Sequence, residues 1–229
     1  MVRKFDYSFL KKDVPGSTIS LLSVVYDIKG KESVRLLSSP SLFSKLKKKA
    51  IRDSIKASNA IENIRTAEKR IDQIASGDNA AQTHSEKEII GYRNVLNNIH
   101  NFNDHIKLDE ITILDLHNQL LQTANVAGRG HYKTGPNLIS ENRNGKNYVI
   151  FVPTPPEEVE ESMKQVLLAF QEAIQDPEIN PLLLIPCFIL DFLCIHPFDD
   201  GNGRISRLLT LLLLYKSDFD IVKYISIEK

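Results

Sequence analysis

Residues 196–209 read HPFDDGNGRISRLL, and the reading of this chain turns on that stretch. It lies between two apolar runs, Leu182 to Ile195 and Leu208 to Leu214. Such runs are buried helices, and neither can bury the polar turn between them unless its groups find partners. The turn therefore belongs at the mouth of a pocket. Gly201-Asn202-Gly203 clears side chains from it and permits positive φ, so consecutive N–H groups converge where the second helix begins. A helix start of this kind accepts anions. Arg204 and Arg207, three apart in the first turns, are out of place at an already positive helix end unless an anion relieves the conflict. A pair of guanidinium forks at that spacing can grip separate phosphates of one polyphosphate.

Asp200 alone would repel phosphate. A divalent cation between the two resolves this, and Mg²⁺ combines one or two carboxylates with phosphate oxygens. His196, with an ordinary pKa of roughly 6.5, suits removal of a hydroxyl proton as that oxygen attacks phosphorus. Direct in-line transfer from a nucleotide to an acceptor hydroxyl then needs no covalent intermediate.

The rest of the chain bounds this reading. At 229 residues, 42% of them hydrophobic, it can bury a core. Its 29 basic and 29 acidic residues cancel, which predicts no nucleic-acid footprint and no attraction to anionic membranes. The first residues lack the apolar run of a secretion signal, and Leu182 to Ile195 is shorter than the ~20 residues of a membrane span. Cys187 and Cys194 stand seven apart on one helix, too far for a disulfide, and read as core thiols of a cytoplasmic protein. The remaining histidines show no zinc spacing, and His117, on an apolar helical face, reads as a satisfied core histidine.

Apolar spacing is mostly helical. Leu21, Leu22, Val25 and Ile28 predict one short helix. Pro40 restarts the chain for Leu42, Leu46, Ile51 and Ile55, and Ile89 to Phe102 forms another helix after a break at Gly77-Asp78-Asn79. Asp109 caps a helix carrying Ile113, Leu116 and Leu120, and Pro155-Pro156 and Asn180-Pro181 open two more. Residues 128–153, rich in glycine, asparagine and β-branched side chains, predict a β flap turning at Asn144-Gly145. No repeat or linker divides the chain. The expected fold is mainly α with one β-hairpin.

The opening stretch resembles the signature of the Fic (filamentation induced by cAMP) family, H-x-F-x-D/E-G-N-G-R-x-x-R, matched at His196, Phe198, Asp200, Gly201, Asn202, Gly203, Arg204 and Arg207. The resemblance implies transfer of AMP from ATP, with Mg²⁺, to a Ser, Thr or Tyr hydroxyl of a target protein. It makes His196 the base and Asp200 the metal ligand. Gly201, Asn202, Gly203 and Arg204 would cradle the α- and β-phosphates, and Arg207 the γ-phosphate. Relatives that act as kinases carry a basic residue where this chain has Gly203, which favours nucleotidyl transfer. Asp199 falls at a variable position and takes no catalytic role.

Upstream, ASNAIENI resembles the family's inhibitory pattern S/T-x-x-x-E-G/N at Ser58, Glu62 and Asn63. Ser58 and Glu62 share one helix face, so the serine is expected to steady a carboxylate that occupies Arg207. The same carboxylate could instead orient a water that removes AMP from modified targets. A catalytically silent nucleotide sensor is the third reading. The flap also resembles the family's, in which a target strand is laid beside the base, and this resemblance implies a hairpin beside the active site. Tyr132, Lys133, Tyr148 and Ile150 are the candidate docking residues, and Lys133 stands where an arginine is common.

The resulting organisation is an N-terminal helical region over 1–105, with an inhibitory helix at about 47–63, then a Fic core over 106–229. The core holds the flap (about 130–153) and the active-site loop (196–207). Relatives commonly continue with helices that wall the adenine pocket, so the resemblance implies a chain cut short soon after Arg207. Target identity and homo-oligomer formation stay open.

Overall fold

The computed structural model describes residues 5–12, 14–143 and 145–229. It is mainly helical with one small antiparallel hairpin. The helices are α1 (Gly16–Ser38), α2 (Pro40–Ile61), α3 (Glu68–Ala75), α4 (His84–Phe102), α5 (Glu110–Gln122), α6 (Pro156–Ile174), α7 (Pro181–Ile195) and α8 (Asn202–Lys216). Strands β1 (Ile139–Arg143) and β2 (Lys146–Phe151) form the hairpin between α5 and α6.

Local chemistry accounts for most boundaries. The Asp109 side chain accepts from the Thr112 N–H at 2.8 Å to cap α5, and Asn180 accepts from Leu182 at 2.9 Å to cap α7. Pro40, Pro156 and Pro181 each sit in a first helical turn, where the missing N–H costs nothing. The end of α2 is a Schellman motif: Asn63 is left-handed at φ 60°, its N–H reaches the Ala60 carbonyl, and the Ile64 N–H reaches that of Asn59. This closure sets Glu62 at the tip of α2.

α7 and α8 pack against each other, flanked by α6 on α7 and by α4 and α5 on α8. Phe188, Phe192, Phe198, Leu209 and Leu212, all fully buried, belong to the core around these helices. Among the described residues, no helix is long and apolar enough to cross a membrane. Among the described residues, Cys187 and Cys194 form no disulfide.

Three expectations need revision. α1 has 23 residues and is not short. Val24, Val34 and Leu37 put apolar groups on its exposed side, which blurs the spacing that marks a buried face. α3 was not foreseen, because its eight residues bury only Ile71 and Ile74. The hairpin occupies only 139–151 of the span read as flap. Of its expected turn residues, Gly145 is left-handed at φ 81°, and Asn144 lies outside the described residues.

Candidate active site

His196 ends α7. Its backbone is left-handed (φ 51°, ψ 62°) and its N–H still closes the helix onto the Phe192 carbonyl at 2.9 Å. Nδ1 lies 3.3 Å from the Leu193 carbonyl, so a hydrogen on Nδ1 has an acceptor and Nε2 is left with its lone pair. Burial pushes the imidazole below its ordinary pKa and Lys133 adds to this. The Leu193 carbonyl and Glu62 pull the other way. A neutral ring with an open Nε2 is the protonation state a general base needs.

The loop after His196 is tied down by its own side chains. Asn202 accepts from the Phe198 N–H at 3.0 Å and donates to the Phe198 carbonyl at 2.7 Å, and it is 2% exposed. Phe198 stacks on His117, their ring centroids 3.7 Å apart. His117 in turn accepts from the Gly130 N–H at Nδ1 and faces the Asp200 carbonyl with Nε2, both at 3.0 Å. The first contact leaves the proton on Nε2, and burial lowers the pKa of this ring to about 4. The core histidine expected from the sequence is therefore also a brace for the loop.

Gly201 starts α8 at φ 81°. The N–H groups of α8's first turn have no partner within the helix and carry its positive dipole end. A Cβ on Gly203 would fall 2.2 Å from Glu62 Oε1 and 3.2 Å from an Arg207 nitrogen. The Glu62 carboxylate thus lies directly over that turn, and only glycine leaves room for an anion there.

The two arginines have different surroundings. Arg207, with 18% of its side chain exposed, donates to Ser58 Oγ at 2.7 Å, to the Ser58 carbonyl at 2.9 Å and to Glu62 at 2.8 Å. The sequence reading has Ser58 steadying the Glu62 carboxylate; the structure corrects this. Because α2 closes at its C-cap Glu62, the serine hydroxyl and one of the last helix carbonyls both face the guanidinium. Arg204, assigned by the sequence to the phosphate cradle, is turned inward. It is 1% exposed and donates to Glu88 at 2.8 Å and Asp200 at 3.1 Å. A guanidinium at that depth needs carboxylate partners, and α4 supplies the main one. Asn202 is likewise committed to the loop through its side chain, so the cradle is made of backbone.

Asp200 keeps 59% of its side chain exposed while one oxygen holds the Gly201 N–H at 2.6 Å. No group of three or more His, Cys, Asp or Glu side chains that could hold a metal occurs among the described residues. A single carboxylate at the mouth fits Mg²⁺, which completes its shell with phosphate oxygens and water, and does not fit an all-protein metal cage.

The four docking candidates separate. Tyr148 and Ile150 lie on β2, 49% and 57% exposed. Tyr132 and Lys133 precede the hairpin and face inward. Tyr132 packs on Phe198, and Lys133, 3% exposed, donates to Asn137 at 2.6 Å and to the Ile195 carbonyl at 3.3 Å. Burial lowers the Lys133 pKa. A cation at that depth cannot meet a docked chain, which corrects its assignment to the flap. Glu88 and Asn137 were missed by the sequence reading. The available signal for Glu88 was an acid four residues before Tyr92 on a buried stripe; Asn137 gave none.

The turn thus places the start of α8 against the Glu62 carboxylate, shortly after a histidine whose pKa is lowered by burial. Residues 107–214 match the Fic/DOC family model. It is similar to "Protein adenylyltransferase Fic" of Nematostella vectensis, with 31% identity over 117 residues, which is 50% of this chain and 24% of that protein. It is also similar to "Protein adenylyltransferase fic-1" of Caenorhabditis elegans, with 29% identity over 51% of this chain and 20% of that one. The matches thus span a quarter or less of these relatives. A crystal structure of a Fic family protein from Desulfovibrio desulfuricans shares the fold, with a TM-score of 0.76 at 22% identity over 95% of this chain and 63% of its own.

Proposed function

We propose that this chain is a protein adenylyltransferase that moves AMP from ATP to a hydroxyl of a target protein and is held inactive by Glu62. The observation that carries the proposal is the Glu62 carboxylate lying over Gly203 while paired with Arg207. An internal anion there has the charge and the position of a terminal phosphate. In the transfer, His196 Nε2 takes the proton of the target hydroxyl as its oxygen bonds to the α-phosphorus. The bond to the β-phosphate breaks, and pyrophosphate leaves with the electron pair. The first-turn N–H groups of α8 stabilise the charge on the phosphates. Mg²⁺ held by Asp200 would neutralise phosphate charge. Curated relatives named adenylyltransferases support this reading over simple nucleotide sensing.

Both partners of the Glu62–Arg207 pair are partly exposed, at 36% and 18% of their side chains, so its worth is discounted to about 1–2 kcal/mol. Glu62→Gly should therefore raise AMP transfer roughly five- to thirtyfold. The test is labelling of lysate proteins with α-³²P-ATP against γ-³²P-ATP, by wild type, Glu62→Gly and Glu62→Gly/His196→Ala. Label from the α-position only, raised by the first change and abolished by the second, supports the proposal. Label from the γ-position, or none from a folded Glu62→Gly protein, overturns it. Release of AMP from modified protein that depends on Glu62 would assign the opposite direction.

A further inference from the structure

A non-glycine residue in the left-handed region costs about 1–2 kcal/mol, so His196 needs neighbours that over-determine its backbone. The carbonyls around it show which ones. Where a helix ends, its last carbonyls lose their intrahelical donors. The Cys194 carbonyl accepts from the Thr154 N–H at 3.4 Å and that of Ile195 from Lys133 Nζ at 3.3 Å. The His196 carbonyl meets Asn137 Nδ2 at 3.5 Å, the weakest of the set. The Pro197 carbonyl accepts from the Lys133 N–H at 2.9 Å and that of Phe198 from Asn137 Nδ2 at 3.1 Å. Lys133 Nζ also donates to Asn137 Oδ1 at 2.6 Å, which orients the amide so that Nδ2 faces the loop. Two side chains and one N–H from a single five-residue segment thus serve four successive carbonyls, 195 to 198.

We propose that Lys133 and Asn137 are positioning residues that clamp the left-handed turn at His196 and keep its Nδ1 against the Leu193 carbonyl, leaving Nε2 open. Neither touches the reacting atoms. A buried lysine is an expensive way to satisfy two acceptors, since a neutral donor would do so without the desolvation of a charge. The charge has a second effect: it opposes protonation of the nearby imidazole. The charged groups that act on His196 are Lys133, on the segment before the hairpin, and Glu62, at the tip of α2, while Asp199 in the loop itself acts on Lys133. The influences of Lys133 and Glu62 on the ring are opposite, so removing Glu62 leaves the lysine as the main charged neighbour.

The inference rests on the reading of His196 as the base, and the experiment separates the two. In the Glu62→Gly protein, the pH titration of the His196 ring is followed by NMR with ¹⁵N-labelled histidine, beside AMP transfer, for Lys133→Met, Lys133→Arg and Asn137→Leu. Lys133→Met should raise the His196 pKa by about half a unit or more and lower kcat roughly 10- to 100-fold at unchanged KM for ATP. Lys133→Arg should restore both, because it keeps the charge and the donors. Asn137→Leu should lower kcat and shift the His196 ring resonances without that rise in pKa. If Lys133→Met does not fold, the Asn137→Leu result decides alone.

A folded Lys133→Met or Asn137→Leu protein whose His196 resonances and titration match the parent overturns the inference. Shifts as expected in a parent that transfers no AMP would uphold the clamp and refute the proposed function.

Discussion

The loop between α7 and α8 and the β1–β2 hairpin are both polar connections beside one site, and they are built in opposite ways. In the loop and the first turn of α8, Phe198, Asn202 and Arg204 are at most 2% exposed, and each carbonyl from residue 194 to 198 is taken by a named donor. In the hairpin every residue of β2 is exposed, and Tyr148, Val149 and Ile150 project into solvent. Reacting groups must be held within a fraction of an ångström, which requires internal partners. A strand that is to receive another chain must leave its polar edge free. The difference teaches that a tightly partnered loop and an exposed strand stand close together in the chain, and each can be broken alone.

The largest expected effect lies under the loop. Glu88→Ala would leave the Arg204 guanidinium, 1% exposed, with only the more exposed Asp200 as a partner. Breaking a buried pair costs about 3–5 kcal/mol, and the surviving contact points to the lower end. For a chain of this size that is a fall in Tm of about 6–12 °C by thermal unfolding. Replacing both residues, as Glu88→Met with Arg204→Met, should recover at least half of the loss, because no unpaired charge remains. A fall under about 2 °C for Glu88→Ala would show that the pair does not organise the loop.

Most of the fold and half of the site could be read from the chain itself. Helix starts were legible because Asp109, Asn180 and the prolines act locally. The motif was legible because Gly201, Gly203 and His196 serve backbone roles that spacing reveals. What was hidden acts across long separations. Glu88 reaches Arg204 over 116 positions and Ser58 reaches Arg207 over 149, and no periodicity encodes such a pairing. Lys133 was misread for a related reason. Charge normally marks a surface, and only the unmet carbonyls at the end of α7 explain a lysine in the interior.

A smaller effect tests the same brace through pH. Burial lowers the pKa of both His117 and His100 to about 4 from the ordinary 6.5. The folded rings stay neutral while the unfolded chain takes up protons, so stability is complete above about pH 6.5 and declines as pH falls toward 4. Each ring contributes on the order of 3 kcal/mol across that window. Glu86, held near 2 by its hydrogen bonds with Arg70, loses its contribution only as pH falls below its ordinary 4.5. Urea unfolding at pH 7.5 and 5 should show a smaller pH dependence for His117→Gln than for wild type. An unchanged dependence would mean that His117 is not buried as a neutral brace.

The hairpin should show the smallest effect on stability and a clear one on function. Tyr148→Ala with Ile150→Ala removes two exposed side chains, so stability should stay within about 0.5 kcal/mol of wild type. That corresponds to about 2 °C or less in Tm. If β2 receives a target strand, the same double variant in the Glu62→Gly background should lower target labelling while leaving KM for ATP unchanged. Backbone pairing survives the truncation and only the side-chain clamp is lost, so the decrease should be partial. A fall of more than about 5 °C would instead make the hairpin part of the rigid frame, and the contrast between the two connections would disappear.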